Sequence, residues 1–346
     1  MSDNKYNQKM NINTNNKKKY IKYFLILILF LILGICSVCA LTINNYLNKI
    51  NKITSDDNNN IQSNINLESE DLLNSSDSHI ENTIPRNTDI KNLAIFGIDG
   101  TDGELCRSDC IMILTIDNIH DKIKLSSIIR DSYVNIPTKQ KKDKINHAYA
   151  FGGPSLAVET LNKNFDIDIS KFVSVNFSSF PKIIDSVGGI SLYLTDDETK
   201  YINQYINQIN SLNGTSSPNI KNSGSQPIDG TQALAYSRIR YTEGGDFERS
   251  HRQRIVIEHI FEKLKTLSLK DYPNILNELL PLINTNLSNK EILSICMDIN
   301  ALKSNGITQA RFPENEDAEG KLINEVYYYV FDENATKNKI HKFIYN

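Results

Sequence analysis

The sequence predicts an α/β protein, an αβα sandwich around a central mixed β-sheet, carried behind one N-terminal transmembrane helix. Three observations predict it. A charge-free apolar run lies near the N-terminus, a long polar stretch follows it, and from about residue 91 short apolar runs of strand length alternate with stretches of helical period.

The run "YFLILILFLILGICSVCALTI" (23–43) has 21 residues. A helix needs about 20 to span a bilayer. A cleaved signal peptide would have a shorter apolar region, about 7–15 residues, and a small-residue cleavage site; no such site stands out. Lys5, Lys9, Lys17, Lys18, Lys19 and Lys22 precede the run, whereas Lys49, Lys52 and Arg86 are the only basic groups between it and residue 91. The positive-inside rule then places 1–22 in the cytoplasm as a short basic tail and everything beyond 43 outside. Residues 44–90, rich in Asn, Ser, Asp and Glu, read as a polar extracytoplasmic linker. Residues 91–346 read as one domain.

Within that domain, "NLAIFGI" (92–98), "CIMILTID" (110–117) and "KIKLSSII" (122–129) are strand-length runs. "GGPSLAVETLNKNF" (152–165) has Pro154 at a helix start and a helical apolar period. "KFVSVNF" (171–177) reads as a strand, "SSFPKIIDSVGG" (178–189) as a helix closed by glycines, "ISLYL" (190–194) as a strand and 196–209 as a helix. A polar loop is expected over 211–230 and a strand over "ALAYSRIR" (233–240). A long helix capped by Asp246 should follow, reaching about residue 267, then helices near 271–283 and 288–303, a strand at "ITQARF" (307–312) and a final helix at 335–345.

Net charge is −3, which argues against a general nucleic-acid binder. The five cysteines contain no zinc-type pair of CxxC units. Cys106 and Cys110 could face each other, and whether they pair is left open.

Charge is concentrated in three places. "YSRIRYTEGGDFERSHRQR" (236–254) holds five arginines. If 234–241 is extended, Arg238 and Arg240 share a face, and on a following helix Arg249, Arg252 and Gln253 share another. Four arginines can then converge across the Gly244-Gly245 turn. Such a cluster calls for a polyanion, and a diphosphate matches the forked guanidinium donors. Surface ion pairs with Glu243, Asp246 and Glu248 would also account for it. In "FGIDG…LCRSDC", Asp99 follows one strand while Arg107 and Asp109 precede the next. Two carboxylates near phosphates suggest an octahedral Mg²⁺ site; turn and cap chemistry is the other reading. "SIIRDSYVNIP" supplies Arg130 and Asp131 at a strand end, and "DKINHAYAFGG" adds Lys144, Asn146 and His147.

Together these pieces resemble the LytR-CpsA-Psr family of cell-envelope proteins. The matching segments are "GID", "RSDCIMI", "SIIRDSYV", "KINHAYAFGGP", "VNFSSFPKIIDSVGGI", "DGTQALAYSRIR" and "GDFERSHRQR", in the family's order within 92–262. Ile129 stands where the family usually has Pro, and Cys110 where Thr or Ser is usual; neither departure removes a charge. The resemblance implies transfer of a glycopolymer, a teichoic acid or capsule chain, from an undecaprenyl diphosphate carrier to peptidoglycan. It implies that Asp99 and Asp109 hold Mg²⁺. Arg107, Arg130, Arg238, Arg240 and Arg249 would bind the diphosphate, with Gln253 beside them and Lys144 and Arg252 as further candidates. Asp131 and Asp246 are candidate bases for the acceptor hydroxyl. An apolar channel for the prenyl tail would be lined from 172–187. The competing readings are an envelope regulator or lipid-binding protein, and a lipid-diphosphate pyrophosphatase without transfer. With about 22 residues before the membrane run, a cytoplasmic helix-turn-helix has no room.

Overall fold

The computed structural model describes residues 45, 47–53, 89–99, 106–139, 141–242, 245–266 and 272–346. The chain divides into two compact units, residues 1–49 and 50–346, and the elements below all belong to the second. The apolar run 23–43 lies outside the described residues; among the described residues no helix is long and apolar enough to cross a membrane.

In chain order the strands β1 (Asn51–Lys52), β2 (Ile90–Asp99), β3 (Arg107–Asp117), β4 (Lys122–Ile128), β5 (Tyr133–Asn135) and β6 (Lys142–Lys144) lead to helix α1 (His147–Phe165). There follow β7 (Lys171–Asn176), α2 (Phe180–Ser186), β8 (Ile190–Leu194), α3 (Asp196–Asn213), β9 (Gly224–Ile228), α4 (Gly230–Arg238) and α5 (Gly245–Thr266). The chain closes with α6 (Tyr272–Leu279), β10 (Ile283–Thr285), α7 (Asn289–Leu302), β11 (Ile307–Phe312), β12 (Ala318–Ile323), β13 (Val326–Phe331) and α8 (Glu333–Tyr345).

Seven strands form the central sheet in the order β1-β10-β7-β2-β3-β4-β11. The pairs β2–β3, β3–β4 and β7–β10 are antiparallel, while β2–β7, β4–β11 and β1–β10 are parallel, so the sheet is mixed as the sequence predicts. Strand side chains alternate between faces. Ala94, Phe96, Ile98, Ile111, Ile113 and Ile128 therefore point to one side, where they pack with Leu156, Leu161 and Phe165 of α1 and Ile340 and Ile344 of α8. Each fully buried side chain of that size contributes about 1.5–3 kcal/mol. On the opposite side, Leu114, Ile116 and Ile123 meet Phe261 of α5 and Ile295, Ile299 and Leu302 of α7. Helices on both faces make the αβα sandwich. A second core gathers Ile184 of α2, Leu192 of β8, Ile202 of α3, Leu234 of α4 and Val256 of α5.

Local chemistry sets the ends of several elements. The α1 segment is kinked at Gly152 and Gly153, and Gly153 has φ +63°, a conformation other residues adopt only with strain; Pro154 restarts the helix. Thr195 and Glu198 form a capping box at α3, and Asp229 and Gln232 form one at α4. Gly230 is fixed by proximity, since a Cβ there would lie 2.0 Å from the carbonyl oxygen of Pro181, so α4 seats directly on α2.

Several expectations are corrected. "ALAYSRIR" is not a strand: α4 runs to Arg238, and the backbone becomes extended only at Ile239. The helix carries buried side chains all round, Gly230 through Ser237, so it shows no amphipathic period. Helix α5 begins at Gly245, which puts Asp246 within its first turn and not at its cap. The expected polar loop 211–230 contains β9, which pairs with β8. The stretch read as linker includes β1, which pairs with β10 at the sheet edge. Cys106 and Cys110 are both free thiols.

Candidate functional site

The site is built at one end of β3. Gly97 pairs with Cys110, but Ile98 pairs with Ser108, so Asp109 falls outside the register as the extra residue of a β-bulge. A bulge re-aims a side chain at a sheet end, and here it turns the Asp109 carboxylate toward the loops. Asp99 ends β2 opposite Arg107, whose backbone N–H donates to Asp99 Oδ1 at 3.0 Å.

Three segments converge on Asp109. Arg130, just beyond β4, donates from Nη1 to Asp109 Oδ2 at 2.7 Å. Asn146, just before α1, donates from Nδ2 to Oδ1 at 3.2 Å. Arg249 of α5 donates from Nη2 to the Asp109 carbonyl oxygen at 3.3 Å. Arg240 Nη2 stands 4.0 Å from Oδ2, with its side chain 46% exposed. Asp131 is paired on both oxygens, with Lys144 Nζ at 2.8 Å from Oδ1 and Arg130 Nε at 3.3 Å from Oδ2. Arg107 is exposed, and Arg238, in the last turn of α4, is half-buried.

The electrostatics follow from this layout. Burial alone would raise the Asp109 carboxyl, but Arg130 and Arg249 beside it, with hydrogen bonds from Arg130 and Asn146, hold it below the ordinary value. Asp99 is pushed up, first by desolvation and then by the charge of Asp109. The two carboxylates are therefore near enough to act on each other through space. Against Asp99, Asp109 and Asp131 stand Arg107, Arg130, Lys144, Arg240 and Arg249. Among the described residues this set holds more cations than carboxylates, a lining that suits an anion.

The structure brings Asp99, Arg107, Asp109, Arg130, Asp131, Lys144, Arg240 and Arg249 to this end of the sheet. Arg252 is turned away from it. It is 3% exposed, and its Nε, Nη1 and Nη2 donate to Glu198 Oε1 at 2.7 Å, the Ile239 carbonyl at 3.2 Å and Thr242 Oγ1 at 2.7 Å. A guanidinium with every nitrogen committed braces α5 against α3 and the chain after α4, and is not available to a substrate. Gln253 is half-buried on α5, and the side chain of Asp246 lies outside the described residues. With both oxygens ion-paired, Asp131 orients Arg130 and Lys144; it is not a free base in this state. Asn146 is a supporting residue beside the ones expected to act, since its amide fixes the Asp109 carboxylate.

A partly covered apolar strip adjoins the charged cluster. On the α5 side of the central strands, Ile95, Gly97, Cys110, Leu114, Val173 and Val175 are only half-buried, although they lie mid-sheet. Gly97 is held to glycine by crowding: a Cβ there would stand 2.9 Å from Cys110 Cβ and 3.0 Å from the Phe177 ring, which packs directly over it. Val173, Val175 and Phe177 fall in the 172–187 segment expected to line a channel.

The LytR_cpsA_psr family model matches residues 39–343. The chain belongs to the LytR-CpsA-Psr family. Among curated relatives, the polyisoprenyl-teichoic acid–peptidoglycan teichoic acid transferase TagU of Enterococcus faecalis is 36% identical over 212 residues, 60% of this chain and 65% of that protein. The TagU proteins of Bacillus cereus and Bacillus subtilis are 30% and 32% identical, over 72% and 70% of this chain and 77% and 74% of theirs. Among solved structures, TagT bound to LIIa-WTA aligns with a TM-score of 0.59 and 26% identity, covering 74% of this chain and 91% of that one. YwtF (TagT) with bound octaprenyl pyrophosphate lipid aligns with a TM-score of 0.55 and 25% identity over 74% of this chain and 90% of that one.

Proposed function

We propose that this protein is a phosphotransferase that moves an anionic cell-wall glycopolymer from an undecaprenyl diphosphate carrier to peptidoglycan, with Mg²⁺ as cofactor. The observation that carries the reading is the surplus of guanidinium groups around Asp109 beside the apolar strip. A molecule with a diphosphate head and a prenyl tail meets both features at once. Relatives named as teichoic acid transferases support the reaction class, and a structural neighbour with bound octaprenyl pyrophosphate supports the carrier.

Arg130, Arg240 and Arg249 hold the diphosphate, with Arg107, Arg238, Lys144 and Gln253 at its edge. Asp99 and Asp109 fit Mg²⁺, which favours few carboxylates plus phosphate oxygens. When bound, the ion would offset charge on the phosphate oxygens. A glycan hydroxyl attacks the phosphorus next to the polymer, and the bond to the bridging oxygen breaks. Such transfer needs positioning and charge neutralisation more than covalent help. Asp131 contributes by fixing Arg130 and Lys144. The topology in this reading is single-pass, with the N-terminus in the cytoplasm and 91–346 outside, on the lysine asymmetry around 23–43.

Product analysis tests the reaction. The full chain in detergent, given lipid-diphosphate-linked polymer, Mg²⁺ and peptidoglycan oligomers, should yield polymer covalently joined to the oligomers. Polymer phosphate released without attachment would establish the pyrophosphatase instead.

A further inference from the structure

Beyond β4, on the other side of Asp109 from the apolar strip, two hairpins place aromatic rings and lysines beside the site. Asp131 ties both hairpins to it. Its carbonyl oxygen accepts from the backbone N–H of Tyr329 at 2.9 Å, and its Oδ1 lies 2.8 Å from Lys144 Nζ. Lys144 pairs with Tyr133 across the β5–β6 hairpin, and Tyr329 belongs to β13, which pairs with β12. Strand alternation then sorts the side chains. On β5, Val134 is buried in the core against α1, so Tyr133 points away from that core. On β13, Tyr329 is 3% exposed and packs on Phe247 of α5 at 5.1 Å, so Tyr328 points the other way. The rings of Tyr133 and Tyr328 meet with their centroids 4.6 Å apart. Lys142 Nζ lies 6.0 Å from the centre of the Tyr133 ring, and Lys144 Nζ lies 5.8 Å from that of Tyr328. Val326, on the same face of β13 as Tyr328, carries this surface outward at 43% exposure.

Aromatic rings flanked by ammonium groups suit a sugar. A sugar ring has a C–H face that stacks on an aromatic ring and a rim of hydroxyl and acetamido oxygens that takes hydrogen bonds. The strand order says which sugar. Across the end of the sheet the apolar strip lies on β7, β2 and β3, Asp109 stands on β3, and Arg130 and Asp131 follow β4. In phosphoryl transfer the attacking and leaving oxygens stand roughly in line, on opposite sides of the phosphorus. With the prenyl monophosphate departing toward the strip, the attacking hydroxyl comes from the β4 side, where Tyr133 and Tyr328 stand.

We infer that Tyr133 and Tyr328, with Lys142 and Lys144 at their rim, form the subsite that seats the acceptor glycan, a strand of N-acetylated sugars, by stacking one of its rings. The inference rests on the function proposed above, which sets the side of the phosphorus that the prenyl group occupies. In the step, the acceptor hydroxyl oxygen bonds to the polymer-side phosphorus, and the bond from that phosphorus to the bridging oxygen breaks. The bridging oxygen keeps the electron pair and leaves on the prenyl monophosphate, and the hydroxyl proton passes to solvent. The tyrosines hold the sugar in place for this step and touch no reacting atom.

Two readouts on the full chain in detergent test this: calorimetric binding of peptidoglycan oligomers and of farnesyl diphosphate, and transfer rates against oligomer concentration. Tyr133→Leu and Tyr328→Leu keep apolar volume and lose the flat ring. Loss of one ring contact should weaken oligomer binding and raise the KM for oligomer about 3- to 10-fold, with kcat and farnesyl diphosphate affinity unchanged. Tyr328→Phe, which retains the ring, should bind oligomer like the parent, as should Tyr193→Ser, which removes a tyrosine 66% exposed on β8. If both leucine variants melt early, Val326→Glu is the variant to read: it sets a charge at an exposed position on the same face and should weaken oligomer binding at least about threefold. Parent-like oligomer binding in the folded variants would overturn the subsite. An equal loss of farnesyl diphosphate binding would also overturn it, because the tyrosines would then serve the donor, and so would an equal loss in Tyr328→Phe. Should the parent bind oligomers through these rings yet release polymer phosphate unattached, the transfer reading falls and the glycan subsite stands. Should it transfer normally while the leucine variants keep the parental KM, the reverse holds.

Discussion

The two ends of β3 each carry a buried or half-buried aspartate, and they are built on opposite principles. At one end Asp117 is fully enclosed. Lys124 Nζ lies 2.7 Å from its Oδ2, His120 Nδ1 lies 2.7 Å from the same oxygen, and the backbone N–H groups of Ile119 and His120 donate to Oδ1 at 3.1 and 3.0 Å. Lys124 also donates to the Ile344 carbonyl. Each partner is used, and charge is balanced. At the other end Asp109 is surrounded, among the described residues, by more cations than carboxylates, beside an apolar strip that is only half-buried. A closed, balanced pair serves folding. An open, unbalanced one is set up for a ligand of opposite charge, and it forgoes stability to remain so.

Substitutions should separate the two ends. The largest effect is expected on turnover. Arg130→Gln should lower the transfer rate by about 10²–10³, the range for losing one preorganised charge donor, with the melting temperature little changed. An early melt in that variant would put Arg130 in the same class as Lys124. Next in size, Lys124→Ala leaves the Asp117 carboxylate buried without its lysine and should destabilise the fold by about 3–5 kcal/mol, while the folded fraction keeps its transfer rate. Denaturant melts and initial rates on the two variants place them side by side.

Acid sharpens the contrast. Burial would raise the Asp117 carboxyl, but Lys124 and His120 hold it below the ordinary value. A depressed carboxylate contributes stability that is complete above its unfolded value, near about 3.9, and is lost as pH falls through its folded value. The parent should therefore lose stability below about pH 4, and Asp117→Asn should be less stable at neutral pH with a flatter acid limb. Equal slopes in melts from pH 5 to 2 would remove Asp117 from the acid transition.

The smallest expected effects concern the two faces of the sheet. Val175→Phe, in the half-buried strip, should leave folding intact and weaken prenyl phosphate binding. Ala94→Val, on the opposite face at 0% exposure, should cost about 1–3 kcal/mol from overpacking and leave binding alone. If both variants lose stability alike, the strip is ordinary core.

Strands β2, β3, β4, β7 and β11 were legible in the sequence because they are bounded apolar runs, and β11 matches "ITQARF" residue for residue; β1 and β10, of two and three residues, are too short to show such a run. Asp99, Asp109 and Arg130 were legible because they stand at or beside strand ends, and Arg238, Arg240 and Arg249 because they crowd one short stretch. What escaped has physical reasons. Helix α4 is buried on all sides and lacks an amphipathic period, although the Asp229-x-x-Gln232 capping box was written in the chain. The β12–β13 hairpin turns on Asn324 and Glu325, at φ +50° and +66°, without the Asn-Gly signal that usually marks such a turn. The separate fates of Arg252 and Arg254 depend on what α5 packs against. Glu198, which accepts from Arg252, lies 54 residues from it, and Gln309, which accepts from Arg254, lies 55 from it, so spacing within the stretch could not assign them.

The most direct test of the unbalanced end of β3 is a crystal structure of the 50–346 unit, or of the full chain, with a short prenyl diphosphate and Mg²⁺. The diphosphate should lie among Arg130, Arg240 and Arg249, the ion should touch both Asp99 and Asp109, and the prenyl chain should run over Val175 beneath α5. A diphosphate bound away from Asp109, or a prenyl chain outside that strip, would contradict the reading of this end of β3 as the transfer site.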